Sequence, residues 1–310
     1  MGCVEEKIAH LEGGVGAMMT SSGQAATLLA VLTLCHAGDH IVCSAAVYGG
    51  SFNLLGVTLK KIGIETTFVD PDLPLEELQK AIRPETKAVI GETIANPALT
   101  VLDIEKFATL AHSNGIPLIV DNTFATPILA RPFEFGADIV IHSTSKYMDG
   151  HATSLGGVIV DSGKFDWAAS GKFPEFTTPD DSYHGVVYTE KFGSMAFIVK
   201  ARAQLMRDLG SAPSPQNAFL LNLGLETSFG VKGGRKAATR VLDSMKLAAI
   251  VTHVADARTC ALHPASTTHR QMTDEQLKEG GVGADLIRLS VGIENADDII
   301  EDLNQALANA

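Results

Sequence analysis

Six short apolar runs, set between stretches of helical periodicity, constrain the fold of this chain more than any other feature. They span 39–48 (DHIVCSAAVY), 64–70 (IETTFVD), 87–93 (KAVIGET), 116–124 (IPLIVDNTF), 137–143 (ADIVIHS) and 156–161 (GGVIVD). Most are rich in Val and Ile at successive positions rather than alternate ones. Strands read this way when helices cover both faces of a parallel sheet. Between them, 73–82 and 104–114 carry helical patterns, and the second stops at Asn114-Gly115, a C-terminal helix signal. Strand–helix alternation on this scale predicts a doubly wound α/β domain. Near residue 200 the pattern changes. Residues 195–210 read as one long helix ending at Gly210, 286–294 as a strand, and the end of the chain as a helix. That helix has Asn295 as N-cap and Ile299, Leu303 and Leu307 on one face. The expected division is a larger α/β domain over 1–206 and a smaller C-terminal α/β domain over 207–310.

Composition narrows the function. Of 310 residues, 45% are hydrophobic and 19% charged, enough apolar surface for a real core and unlike a disordered chain. A net charge of −12 disfavours nucleic acid or an anionic membrane as partner, because there is no basic stripe to release counterions. Cys3, Cys35, Cys43 and Cys260 lack C-x-x-C spacing, which argues against a zinc or thioredoxin-like site and fits a reducing cytoplasm. No apolar run reaches the ~18 residues of a spanning helix, and MGCVEEK has no signal-peptide pattern.

In open α/β sheets, ligands bind outside the carboxyl ends of the strands. Tyr48, Glu92, Asp121, Asn122, Ser143, Ser145 and Lys146 all fall at such ends, with Asn96-Pro97 just beyond Glu92. Taken singly, an aspartate there is an ordinary cap or turn residue and a lysine an ordinary surface charge. Their convergence on one edge reverses that reading. Lys146 has Ser143, Thr144, Ser145 and Thr153 close by in sequence, and the glycine pair Gly156-Gly157 closes the stretch. A second signal is Thr20-Ser21-Ser22-Gly23 ahead of an Ala/Leu helix, either a plain serine cap or an anion cradle of free N–H groups. The P-loop and G-x-G-x-x-G patterns are absent. A phosphate cradle, a carboxylate at a strand end, an aromatic ring and a lysine among hydroxyls together match what pyridoxal 5'-phosphate requires. Its aldehyde takes a lysine, its ring nitrogen a carboxylate and its phosphate hydrogen-bond donors.

The stretches LEGGVGAMMTSSGQAAT, VYGGSFNLL, GETIANP, IVDNTFATP, HSTSKYMDGHATSLGG, SPQNAFLLNLGLET, HPASTTHRQ and IRLSVGIE resemble the Cys/Met-metabolism (trans-sulfuration) family of pyridoxal-phosphate enzymes. DGHATSLGG and HPASTTHRQ favour its O-acetylhomoserine sulfhydrylase branch over the methionine γ-lyase and cystathionine branches. The resemblance implies the aminotransferase-like fold (fold type I), with a large, mostly parallel sheet. It also implies γ-replacement in methionine biosynthesis: O-acetylhomoserine and sulfide or a thiol give homocysteine and acetate. Lys146 would carry the Schiff base and shuttle protons, and Asp121 would pair with the ring nitrogen. Tyr48 would stack on the ring and assist elimination. Gly23 and Gln24 through N–H, with Ser143 and Ser145 through hydroxyls, would hold the phosphate. Glu92 and Asn96 would lie near the cofactor, and Arg288 would bind the substrate carboxylate. His142, His151, His263 and His269 show no carboxylate–histidine spacing and are read as non-catalytic. A homotetramer built as a dimer of dimers is the implied assembly.

Two departures accompany the resemblance. Family members carry an arm of several tens of residues before a stretch like VEEKIAHLEGG, with a Tyr-x-Arg pair reaching a neighbour's phosphate; this sequence starts without one. LGLET is normally followed by a helix and a strand, yet here Thr227 abuts Ser228. Either residues are missing between them, the preferred reading, or the protein is a shortened and catalytically impaired homologue. Within the same chemistry, γ-lyase and cystathionine γ-synthase activities, and an acetyl or a succinyl ester, stay open.

Overall fold

The Val/Ile runs become the strands of one sheet in the computed structural model. It describes residues 1–150, 152–227, 246, 249–250, 259–262, 264, 267–273, 276, 287–290 and 294–307. Seven strands, β1 (Gly16–Thr20), β2 (His40–Ser44), β3 (Glu65–Val69), β4 (Thr86–Glu92), β5 (Leu118–Asp121), β6 (Ile139–His142) and β7 (Gly157–Asp161), lie in the order β1-β7-β6-β5-β4-β2-β3. Pairs within β6-β5-β4-β2-β3 are parallel, while β7 runs antiparallel to both β6 and β1. Every residue of β2, β6 and β7 is buried, which places both sheet faces under cover, as the unbroken apolar runs require. Because β1 runs with the parallel strands, Thr20, Ser44, Glu92, Asp121 and His142 end at one edge. The reversed β7 begins there at Gly157.

Two sequence expectations need correction. The run 39–48 yields a strand only to Ser44, so Tyr48 does not end a strand. It lies four residues beyond and precedes the short helix α3 (Gly49–Asn53). GAMMT (16–20), not expected as a strand, is β1. Pairing with β7 through five register positions overrides its scarcity of β-branched residues, Thr20 alone being one. The other elements follow their signals. Helix α1 (Gly2–Glu12) ends at Gly13, whose φ of 80° only glycine adopts freely. Helix α2 (Gly23–Leu34) starts at Ser22, whose side chain accepts the Ala25 N–H. The pattern at 73–82 contracts to α4 (Leu75–Gln79), and 104–114 gives α5 (Ile104–Ser113), capped by Asp103. The stretch 196–209 is continuously helical with one π turn at Arg202–Met206, and Gly210 ends it. Asn295 accepts the Asp297 N–H at the start of the helix Ala296–Leu307.

The main core runs from Val4 through the sheet to Leu221 in the helix Pro215–Thr227, and a separate small cluster joins Ala261, Ile287 and Ala306. A second three-stranded sheet holds β8 (Ala249–Ile250), β9 (Cys260–Leu262) and β10 (Arg288–Ser290). Beside the main sheet, Phe165, Trp167, Phe173, Phe176 and Phe197 form an aromatic cluster. Phe176 is fully buried and stacks on Trp167 at 4.5 Å between centroids. Phe176→Ala is expected to cost about 3–5 kcal/mol, a large share of a typical domain's ~5–15 kcal/mol. Trp167 is the chain's one tryptophan, so its fluorescence through a denaturant titration reads the loss directly.

Candidate active site

The edge where the strands end is assembled by close backbone approach. Gly23 opens α2 next to Ser143: a Cβ on Gly23 would lie 2.6 Å from the Ser143 Cβ. A Cβ on Gly157 would lie 2.2 Å from the Ser22 carbonyl oxygen, and one on Gly156 would lie against Thr144 Oγ1. The glycine pair therefore lets β7 pass under the loop that carries Ser22. Gly23 and Gln24 occupy the first two positions of α2, where backbone N–H groups have no acceptor within the helix. The Gln24 amide donates to Ser51 Oγ at 3.2 Å. The result is a helix N-terminus in contact with a serine, an approach that only glycine permits, with the Ser143 hydroxyl beside the free N–H groups as in an anion cradle.

Beside the cradle stand two carboxylates on neighbouring strands. Glu92 and Asp121 are register partners of β4 and β5. Thr123 donates both its N–H (3.0 Å) and its hydroxyl (2.5 Å) to Asp121 Oδ1, leaving Oδ2 for another donor. The same Thr123 hydroxyl accepts the Ser143 N–H at 2.8 Å, tying Asp121 to the cradle. Burial raises the Asp121 carboxyl above its usual range, opposed by the Thr123 bonds and the charge of His142. Glu92 lies well above the usual range, first through burial and then through Asp121 beside it; N–H donors from Tyr48 and Asn96 oppose the shift. Two adjacent buried carboxyls cannot both ionise cheaply. The Tyr48 N–H donates to Glu92 Oε2 at 2.6 Å, so Glu92 anchors the turn that presents the tyrosine. The Tyr48 ring, 38% exposed, leans over Gly50, where a Cβ would meet Cε1 at 2.5 Å.

Lys146 follows β6 in a turn closed by its N–H on the Ser143 carbonyl (3.2 Å) and by the Gly150 N–H on its own carbonyl (3.1 Å). Beyond it, the buried Asp149 accepts the Thr153 N–H and the Ser154 hydroxyl, which shapes the loop. The structure thus brings together Gly23, Gln24, Tyr48, Glu92, Asn96, Asp121, Ser143 and Lys146. Ser145 is turned elsewhere: its hydroxyl donates to the Gly156 carbonyl at 3.2 Å and accepts the Gly156 N–H at 3.0 Å. Arg288 sits on β10, and its side chain lies outside the described residues, as do His151, His263 and the junction partner Ser228. Thr123 was legible in the sequence only as part of DNT. Its role as the bridge between Asp121 and Ser143 needs the fold.

A lysine, a carboxylate and a helix N-terminus at the carboxyl edge of a mostly parallel sheet define the class: the fold is that of pyridoxal-phosphate enzymes of fold type I. The family model for "Cys/Met metabolism PLP-dependent enzyme" matches residues 1–227 and 228–308, and the chain belongs to that family. The O-acetyl-L-homoserine sulfhydrylase of Leptospira meyeri is 40% identical over 369 aligned positions, covering 99% of this chain and 83% of the relative. The homocysteine synthase of Schizosaccharomyces pombe is 43% identical over 359, covering 98% and 83%. Both alignments exceed the chain's 310 residues and so open gaps in it, and the family match divides at Thr227/Ser228, where the sequence shows its abrupt junction. Among solved structures, a crystal structure assigned as O-acetylhomoserine (thiol)-lyase from Campylobacter jejuni matches with a TM-score of 0.92 and 32% identity. It covers 99% of this chain and 86% of that one, and contains a pyridoxyl-lysine at its position 205. Cystathionine γ-lyase from Lactobacillus plantarum matches with a TM-score of 0.79 and 27% identity, over 99% of this chain and 85% of that one.

Pyridoxal phosphate is the family's cofactor, and the residues at this edge fit it. The free N–H groups at the start of α2, beside the Ser143 hydroxyl, suit a phosphate, and Asp121 keeps one oxygen for a ring N–H. Among the described residues, no helix is long and apolar enough to cross a membrane.

Proposed function

We propose that this chain catalyses γ-replacement on O-acetyl-L-homoserine, exchanging acetate for sulfide or a thiol to give homocysteine or its thioether. The observation that carries the reading is the convergence of the Gly23–Ser143 cradle, the Thr123-anchored Asp121 and the Lys146 turn at one sheet edge. Relatives about 40% identical along nearly the whole chain support the substrate class.

When bound, the cofactor supplies an aldehyde for an amine and a ring that withdraws electrons from the substrate carbon. The protein's own groups do the rest. Gly23 and Gln24 N–H and the Ser143 hydroxyl hold the phosphate; Ser145 contributes only after releasing Gly156. Asp121 Oδ2 takes the ring N–H, and Thr123 keeps that carboxylate aimed. Glu92 and Asn96 brace the Tyr48 turn, so that the tyrosine ring covers the cofactor face and assists departure of acetate. Lys146 Nζ would hold the aldehyde at rest and, once freed, would move protons at the substrate Cα and Cβ as acetate leaves Cγ and sulfide adds there. Arg288 takes the substrate carboxylate through its planar fork. We further place the protein in the cytoplasm as a dimer of dimers, with residues 207–310 as the smaller domain.

The test is product analysis with purified protein. Homocysteine forms from O-acetylhomoserine and sulfide, faster than from the succinyl ester. Methionine or cysteine as sole substrate releases little 2-oxoacid. Dominant elimination from methionine would move the protein to the γ-lyases, and dominant cystathionine formation to the γ-synthases. The cradle has its own check. Gly23→Ala drives a Cβ into Ser143 and is expected to raise the pyridoxal-phosphate dissociation constant by about tenfold or more, a loss of ~1.4 kcal/mol or more, read by fluorescence titration.

A further inference from the structure

Opposite the cofactor side of the sheet lies a second polar cluster that the chemistry above does not use. Glu12, the last residue of α1, and His142, the last of β6, both have side chains of 0% exposure and meet at 2.5 Å between Oε1 and Nε2. The Asn122 amide donates to Glu12 Oε1 (3.0 Å) and to the Ala130 carbonyl (2.9 Å), and the Thr93 hydroxyl donates to Asn122 Oδ1 (2.9 Å). Each member at a strand end is the chain neighbour of a site residue: Thr93, just past β4, of Glu92; Asn122, just past β5, of Asp121; His142, the last of β6, of Ser143. The ladder continues through them, Thr93 N–H to the Asp121 carbonyl and Asn122 N–H to the Ile141 carbonyl, both at 2.9 Å. Successive residues therefore face opposite sides, and the cluster backs the site through the sheet.

We infer that Glu12 and His142 are positioning residues: a buried carboxylate–imidazole pair that, through Asn122 and Thr93, locks together the three strand ends presenting Glu92, Asp121 and Ser143. The pair is a poor device for stability alone. Among the described residues, Glu12 Oε2 and His142 Nδ1 are buried without a hydrogen-bond partner, and a well-packed apolar pair in their place avoids that desolvation cost. Its directional bonds instead fix relative heights that apolar contacts leave free. His142 also lies near enough to Asp121 to favour its ionised form.

The inference rests on the cofactor reading, and its test separates the two. Glu12→Gln and His142→Asn are prepared as holoenzymes beside the parent. Four quantities are measured: pyridoxal-phosphate affinity, the pH midpoint of the bound cofactor's absorbance change, kcat and KM for O-acetylhomoserine, and thermal stability. Positioning predicts a midpoint displaced by about half a pH unit or more and kcat down about tenfold with KM within about twofold. A pair that only stabilises the fold lowers the melting temperature and leaves midpoint and kcat at parental values, which overturns the inference. Should neither variant fold, the parent itself decides. The proton between His142 and Glu12 gives a far-downfield NMR signal in 15N-histidine-labelled protein. Its position is expected to differ between cofactor-free and cofactor-loaded forms, and an identical position in both overturns the inference. A parent that takes up no pyridoxal phosphate refutes the proposed function and this inference with it.

Discussion

Lys146→Ala is expected to bind pyridoxal phosphate non-covalently and to lose at least about 10^3-fold in kcat with O-acetylhomoserine and sulfide. The size follows from the several duties given to one amine. It holds the cofactor's aldehyde, and it takes and returns protons at two substrate carbons. Loss of a single acid–base group costs about 10^2–10^4-fold. The fold gives the variant a fair chance to report chemistry rather than unfolding. The turn at Lys146 is closed by backbone bonds to Ser143 and from Gly150, and the following loop by Asp149; none of these needs the lysine side chain. A melting temperature near the parent's, with turnover gone, is the expected pair of results. Turnover within about tenfold of the parent would remove Lys146 from the mechanism.

Asp121→Asn has the second largest expected effect, and its signature is two-sided. The Thr123 N–H and hydroxyl still find an acceptor in the amide oxygen, so the side chain keeps its place. What changes is the other end: an acceptor becomes an NH2 donor aimed where the ring N–H sits. An opposite charge normally holds such a nitrogen protonated by about 1–3 pH units, and without it the ring ceases to draw electrons from the substrate. A loss on the order of 10^3-fold in kcat follows. Stability moves the other way in the cofactor-free protein. The folded carboxyl titrates above its unfolded value, chiefly through burial. Its contribution is therefore fully present below the unfolded value and lost as pH rises through the folded one. Asparagine removes that cost, so cofactor-free Asp121→Asn melts at or above the parent at about pH 8, and the difference shrinks toward about pH 4. A variant less stable than the parent at the higher pH, or one with near-normal kcat, contradicts the place given to Asp121.

The sheet was legible because most of its strands, β2, β6 and β7 throughout, are buried on both faces. Runs such as KAVIGET and ADIVIHS admit no other arrangement, and their ends pointed to the edge where Glu92, Asp121, Ser143 and Lys146 gather. Boundaries failed where apolar character outlasts the ladder. Ala45, Ala46 and Val47 are buried beyond β2, which made Tyr48 look like a strand end. β1 escaped notice because Gly and Ala carry little strand preference and Thr20 is its one β-branched residue, so antiparallel pairing with β7 makes the strand. In the site, the reading of Ser145 as a phosphate ligand met a hydroxyl already engaged with Gly156, eleven residues on. The bridging role of Thr123 and the pairing of Glu12 with His142 were not legible. The pair spans 130 residues, and no local spacing marks two side chains brought together only when α1 packs behind β6.

The central claim is that Lys146 is the residue that takes the cofactor's aldehyde. Reducing the cofactor-loaded protein with borohydride, digesting it and mapping the phosphopyridoxyl group by mass spectrometry tests it directly. The account predicts the label on one peptide, at Lys146, with absorbance fixed irreversibly by reduction. A label confined to any other lysine, or protein that binds the cofactor yet keeps no label after reduction, would contradict it.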